Sequence, residues 1–125
     1  MIINDIFKIQ MNWKETKSHN WNMETDVIEI IDNLANENME EPSIIVGYIL
    51  DWACDKLYQD NEFKEKILKI KRKRKNMGKE NLKARRYIFS YDLENKFQKT
   101  KDDIRFYNDS VFVNESIKQF MKEYK

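Results

Sequence analysis

Cysteine, histidine, proline and glycine are all scarce in this chain of 125 residues, which contains one cysteine, one histidine, one proline and two glycines. A single cysteine, Cys54, cannot form a disulfide within the chain, and with one histidine a zinc site of the usual Cys and His spacing cannot be built. Gly47 and Gly78 stand alone, which excludes a glycine-rich phosphate loop. We therefore expect no metal and no cofactor. Scarce glycine and proline also favour helices over a turn-rich sandwich or barrel.

Long apolar runs are missing as well. No stretch approaches the roughly 18 apolar residues of a membrane span, and the N-terminus lacks a cleavable signal pattern. Apolar residues nevertheless make up 41% of the chain, which is enough for a hydrophobic core. The sequence therefore predicts one cytoplasmic domain, residues 1–125, without a membrane partner.

Groups that could perform catalysis are few. His19 and Cys54 could meet as base and nucleophile, but a strand histidine and a buried helix thiol are the more ordinary interpretation. The segments "DNEFK" and "DLENK" resemble the acid-x-Lys step of metal-dependent nucleases. Such matches arise by chance in a chain that is 36% charged. We therefore expect a protein that is not an enzyme.

Charge is divided unevenly along the chain. Residues 1–65 hold five bases and fourteen acids, and residues 66–86 hold eleven bases and one acid. Residues 87–125 hold seven of each, and the net charge of the whole chain is only +1. An acidic part over 17–65, a basic segment over 66–86 and a helical part over 87–125 are the predicted divisions.

The basic segment favours an anionic partner or internal pairing, because like charges one helical turn apart repel each other. Contact with nucleic acid is the favoured interpretation, and pairing with acids of this protein or of an acidic partner surface is the next. A solvated helix face and a nuclear-import signal stay open. The residues predicted to contact phosphates are Lys69, Lys71, Arg72, Lys73, Arg74, Lys75, Lys79, Lys83, Arg85 and Arg86.

Hydrophobic periodicity predicts the elements of the first half. His19, Trp21 and Met23 alternate with polar residues, which indicates a short strand near residues 17–23. From Thr25, a candidate N-cap, apolar residues recur at helical spacing, and Pro42 fits the first turn of a second helix. "QDNE" is expected to interrupt the helical pattern before it continues into the basic segment.

The second half is also predicted to be mostly helical. A basic helical turn is expected after Gly78, and "RYIFSYDL" is compatible with a strand or with a helix. Leu93, Phe97 and Ile104 predict a helix, "VFV" indicates a short β-like run, and Ser116 with Gln119 forms a capping-box pattern for a last helix. We see no internal repeat. The predicted fold class is mostly α, with a possible short N-terminal β-ribbon and a helical C-terminal extension.

The order strand, helix, turn, helix from Lys17 to Leu57 resembles the ribbon-helix-helix family of DNA-binding proteins. The resemblance lies in "METDVIEIIDNLANEN" after the alternating strand and in "SIIVGYIL", which matches the start of the family's second helix. It implies a homodimer in which strands from two chains pair and bury Trp21 and Met23. The outward side chains that would contact bases or phosphates are then Ser18, Asn20, Asn22 and Ser43.

Departures from the family pattern give the basic segment a role. Met39, Glu40 and Glu41 occupy the turn in which the family usually has glycine and basic or hydroxyl residues. The basic segment would supply the attraction to DNA that this acidic half cannot. The sequence thus predicts a small DNA-binding regulator or adaptor from a plasmid, phage or other mobile element. The alternative is a phage- or plasmid-encoded interaction protein that inhibits a host machine by docking or by mimicking nucleic acid.

Overall fold

The computed structural model describes residues 15–73 and 81–123. Within these ranges the fold is mostly helical, as predicted, and it includes one antiparallel pair of strands. None of the helices in the described ranges is long and apolar enough to cross a bilayer. In chain order the elements are β1 (Thr16–Glu24), α1 (Thr25–Asn38), α2 (Pro42–Gln59), α3 (Asn61–Lys73), β2 (Leu82–Ser90), α4 (Tyr91–Ile104) and α5 (Asp109–Glu123).

The elements of the first half follow the sequence pattern closely. β1 contains the predicted strand, and α1 buries Val27, Ile31 and Leu34 at helical spacing. Thr25 begins α1 and is not its cap: Glu24 is the N-cap and makes no capping bond with its side chain. Between α2 and α3, Asp60 accepts hydrogen bonds from the backbone of residues 62 and 63, which starts a new helix at the predicted interruption.

Three predictions for the second half are wrong. Residues 82–86 are extended in β2, so the basic helical turn expected after Gly78 does not extend over them. The run "VFV" lies inside α5, and Ser116 is a buried mid-helix residue, so it starts no helix. Val111, Phe112 and Val113 are all buried because α5 packs against neighbours on several sides. Periodicity alone cannot show whether a short apolar run belongs to a buried helix or to a buried strand.

β1 pairs with β2 of the same chain. The register places Thr16 opposite Ser90 and continues to Glu24 opposite Leu82. Trp21 and Met23, which the resemblance would bury between two chains, are buried within one. The expectation of a ribbon built from two chains is therefore corrected, because one chain supplies both strands.

The order strand, helix, helix occurs twice in the chain. The first unit is β1, α1 and α2, and the second unit is β2, α4 and α5. Both strands have nine residues and both first helices have fourteen, so each residue of the first unit from 16 to 38 corresponds to the residue 66 positions later. Both first helices end in a left-handed residue with φ of 55°, Met39 in one unit and Arg105 in the other.

Hydrogen bonds cross between the two units at equivalent places. In the first unit Ser43, the second residue of α2, accepts a bond of 2.9 Å from the backbone N–H of Ile88. In the second unit Ser110, the second residue of α5, accepts one of 3.1 Å from the backbone N–H of Asn22. α2 thus packs on β2 while α5 packs on β1. Each unit thus packs its second helix on the strand of the other, which repeats an order of elements that no repeat in the sequence had indicated.

Both units contribute to one hydrophobic core. The first helices bury the same positions, Val27 and Ile31 in α1 and Leu93 and Phe97 in α4. Over residues 16–39 and their counterparts, however, the only identical pairs are Lys17 with Lys83 and Asp26 with Asp92. The repeat lies in the burial pattern and not in residue identity.

Candidate nucleic-acid interface

The candidate interface is the outward face of the two-stranded ribbon. Side chains alternate between the two faces of a strand, so residues directly opposite each other in an antiparallel pair share a face. By this rule the outward face consists of six exposed residues, Ser18, Asn20, Asn22, Ala84, Arg86 and Ile88, which we call the ribbon face.

Asn20 and Arg86 lie at the centre of the ribbon face. They are paired directly, and they are equivalent positions of the two units, so the local two-fold relation of the strand pair is centred between them. Opposite residues of an antiparallel pair have Cβ atoms about 4.5–5.5 Å apart, which brings an amide and a guanidinium together. On either side of this centre, Asn22 pairs with Ala84 and Ser18 pairs with Ile88.

Aromatic packing beneath the ribbon holds this face in place. Trp21 and Phe89 are buried on the inward side with ring centroids 5.5 Å apart, and both contact Phe97 of α4. His19 stacks on Trp21 at 4.8 Å with an interplanar angle of 17°. Because these rings pack in a rigid core, the backbone that carries the ribbon face is held firmly.

A nearly buried polar pair ties the ribbon to α4. The Nε2 atom of His19 lies 2.5 Å from a carboxylate oxygen of Glu94, and the other oxygen accepts a bond of 2.8 Å from Gln98. Lys17 lies 3.6 Å from the same carboxylate. Burial raises the pKa of Glu94, but the hydrogen bonds from His19 and Gln98 and the Lys17 charge outweigh it, so this pKa lies below its ordinary value.

The lowered pKa of Glu94 predicts a loss of stability in acid. A carboxyl whose pKa is lower in the folded state stabilises the fold above its unfolded pKa, and this contribution disappears as pH falls through the folded value. We expect Glu94→Gln to lower the free energy of unfolding by about 1–2 kcal/mol at pH 7 and by much less at pH 3. Urea unfolding at the two pH values measures this difference. A deficit that is equally large at both would contradict the assignment.

The predicted cationic residues divide into three groups. Lys83, Arg85 and Arg86 lie on β2 and are exposed, and Lys69 is exposed on α3. By the register, Lys83 lies opposite Met23 and Arg85 lies opposite Trp21, on the inward side of the ribbon. Unlike Met23 and Trp21, these two cations are exposed. Lys71, Arg72 and Lys73 belong to the last turn of α3, and the predicted contacts Arg74, Lys75 and Lys79 lie outside the described residues.

The four predicted polar residues also separate. Ser18, Asn20 and Asn22 share the ribbon face, as the resemblance implies. The strand register places Arg86 on the same face, opposite Asn20. The hydroxyl of Ser43 is half-buried and accepts the Ile88 N–H, so it fastens α2 to β2.

Sequence reasoning missed Ala84 and Ile88 as members of the ribbon face. The available signal was the alternation of Arg86 and Ile88 with Tyr87 and Phe89, which is typical of a half-buried strand. It also missed Asn114, whose side-chain amide donates to the carbonyl of Asn22 at 3.1 Å and accepts from the N–H of Glu24 at 3.0 Å. This amide occupies the outer edge of β1, where another strand would otherwise pair.

Several of the groups considered for catalysis are buried or paired within the fold. Burial raises the pKa of the Cys54 thiol to about 11, so the thiol stays protonated at neutral pH. In "DLENK" Glu94 pairs with His19, and Lys96 pairs separately with Asp51 and Asp55. Within the described ranges, no three His, Cys, Asp or Glu side chains converge as metal ligands.

What the ribbon face can do is form hydrogen bonds and bind anions. Amide, hydroxyl and guanidinium groups stand side by side on a supported two-stranded ribbon, and Lys83 and Arg85 lie along the same strand as Arg86.

The chain matches no protein-family model, no curated protein and no solved structure.

Proposed function

We propose that this protein binds duplex DNA through the ribbon face, as a single-chain counterpart of a ribbon-helix-helix dimer. The observation that carries the proposal is the cross-strand pairing of Asn20 with Arg86 at the centre of an exposed ribbon. The major groove, about 12 Å wide, admits a two-stranded ribbon, and amide and guanidinium groups are the side chains that form bidentate bonds with adenine and guanine. A regulator or adaptor of a mobile element is the role that fits such binding.

The repeated unit supports the proposal. Each strand leads directly into its first helix, and each second helix crosses to the other unit's strand through Ser43 or Ser110. In the family that the first half resembles, two chains supply these two units. Here both come from one chain, so the ribbon does not require the homodimer that the resemblance implies.

Cations along β2 supply the phosphate contacts in this proposal, with Arg86 on the ribbon face and Lys83 and Arg85 on the other side of the same strand. Lys83, Arg85 and Arg86 are exposed on one strand, and β2 follows the remainder of the basic segment in sequence. Nucleic acid carries a dense negative charge, and each cation placed at a phosphate releases condensed counterions. The net charge of +1 does not oppose this binding, because the cations are concentrated on one segment.

Binding to duplex DNA is expected to weaken steeply with salt. On a log–log scale, the affinity should fall by about 0.9 units per contacted phosphate. Arg86→Gln should flatten this slope by about one unit, because it removes the cation at the centre of the ribbon face. Fluorescence anisotropy with a labelled duplex at several salt concentrations measures the slope.

Lys122→Gln provides the matched control for this measurement. Lys122 is also exposed but lies near the end of α5, eight residues beyond Asn114, or about 12 Å along the helix. Lys122→Gln removes one positive charge as well, and it should leave the salt dependence of the affinity unchanged. Equal slopes for the two variants and the unaltered protein would place the binding surface elsewhere.

The interaction-protein alternative is favoured by one observation. α1 carries four acids, Asp26, Glu29, Asp32 and Glu37, which are all exposed, and it carries no base. Such a face could dock on a basic protein groove or mimic nucleic acid. If the intact protein fails to bind any duplex at 50 mM salt, the DNA-binding proposal fails and this alternative takes its place.

A further inference from the structure

The two halves of the ribbon face differ at every equivalent position. Ser18 corresponds to Ala84, Asn20 to Arg86 and Asn22 to Ile88, by the same offset that relates the two units. A hydroxyl thus corresponds to a methyl group, an amide to a guanidinium, and a second amide to an apolar side chain. The backbone of the ribbon is nearly symmetric, whereas its surface chemistry is not.

These differences place distinct chemistry at the two ends of the ribbon. One end presents Asn22 beside Ala84, and the other presents Ser18 beside Ile88. In the major groove an asparagine amide matches adenine, an arginine matches guanine, and small apolar groups contact the methyl group of thymine. A face of this composition therefore matches different bases on the two sides of its centre.

The turns between the helices differ in the same way. After α1 the turn carries Glu40 and Glu41, while the corresponding turn after α4 begins with Arg105 and includes the exposed Tyr107. Both turns follow the first helix of their unit, at equivalent places in the chain order. The first turn thus carries two acids, whereas the second carries one base close to the exposed Asp102 and Asp103, so the two turns differ in charge pattern.

We infer that the protein recognises a non-palindromic duplex site and binds it in one orientation. This inference rests on the proposed function. A two-fold ribbon with identical faces would accept a palindrome equally well both ways round. The unlike faces and turns of this chain make the two orientations unequal in free energy.

Selection of binding sites from a random duplex pool with the intact protein tests this inference. The expected result is an enriched motif without two-fold symmetry. A palindromic motif, or duplex binding without any enriched motif, would overturn the inference and leave DNA binding in place. Retention of no duplex at all would instead overturn the proposed function and the inference with it.

Variants that make the ribbon face symmetric give a sharper test. In the triple variant Ala84→Ser, Arg86→Asn, Ile88→Asn, both units carry the side chains of the first unit. All three positions are exposed, so the fold should be retained, and circular dichroism checks this. The variant should bind a palindrome built from one half of the selected motif about tenfold or more better than the original site, since one lost bidentate contact has an effect of this size. An unchanged preference for the original site would contradict the inference.

The bound orientation is measured by tethered cleavage. Met39 is 91% exposed in the turn of the first unit, and Met39→Cys allows an iron chelate to be attached there. DNA should be cut at one end of the selected site only. Cutting at both ends with equal intensity would show that both orientations are bound and would overturn the inference. The unaltered chain is the labelling control, because its Cys54 is fully buried.

Discussion

Replacing Phe89 with alanine is expected to lower the free energy of unfolding by about 3–5 kcal/mol, a large part of the stability of a domain this size. Phe89 is fully buried under the ribbon and contacts the rings of Trp21, His19 and Phe97. Truncation leaves a cavity at the point where both strands meet α4. Thermal unfolding followed by circular dichroism should show a midpoint lower by about 10 °C or more.

Ile88→Ala is the control for this prediction. Ile88 is the preceding residue on the same strand, but it faces outward and is 39% exposed. Its truncation should cost less than about 1 kcal/mol, since an exposed side chain leaves no cavity. Equal losses for Phe89 and Ile88 would mean that the ribbon does not have the inward and outward faces assigned to it.

The first unit could be predicted because its local patterns are strong. β1 alternates cleanly, α1 repeats apolar residues at helical spacing, and Pro42 marks the start of α2. These signals act over a few residues and need no knowledge of tertiary contacts. The structure confirms the strand, both helices and the interruption before α3.

The second unit could not be predicted equally well because its patterns conflict with its environment. In α5 the buried positions extend around the helix, and they include Asn114 and Ser116 as well as valine and phenylalanine. In α4 Glu94 and Lys101 are buried at positions that Ile28 and Ala35 occupy in α1. A polar residue that is buried with a partner gives no apolar signal, so the repeat stays hidden in the sequence.

The ribbon face could also be predicted only in part from local sequence patterns. Asn20 and Asn22 could be assigned to an outward face from alternation alone, and Arg86 could be assigned to a cationic cluster from composition alone. Joining them required the register between strands that lie 66 residues apart in sequence. Strand register depends on long-range packing and turn geometry, which no local pattern specifies.

The single-chain ribbon also changes what the resemblance implies. A homodimer stays a prediction, but the ribbon can form without one. The outer edge of β1 at Asn22 and Glu24 is occupied by Asn114, and β2 is fastened to α2 at Ile88 by Ser43. Side chains that occupy strand edges in this way oppose the pairing of further chains. A single chain is therefore the smallest unit that can bind DNA in this proposal.

Asn114 of α5 holds β1 through hydrogen bonds of its side chain. Its side-chain amide donates to the carbonyl of Asn22 and to that of Ser110 in its own helix, and its oxygen accepts from the N–H of Glu24. The side chain is 1% exposed. At the equivalent position α2 has the buried Gly47. Asparagine therefore contributes bonds here that its counterpart cannot form.

Asn114→Ala is expected to lower the free energy of unfolding by about 2–4 kcal/mol, because it leaves an N–H and a carbonyl of β1 without partners in a partly buried place. Chemical unfolding measures the loss. Asn95→Ala is the control, since Asn95 is an exposed helical asparagine on α4, and its replacement should change stability by less than about 0.5 kcal/mol. Opening the edge of β1 should also promote self-association, which sedimentation velocity detects. An Asn114→Ala variant that is as stable and as monomeric as the Asn95→Ala variant would show that α5 does not hold the ribbon through this amide.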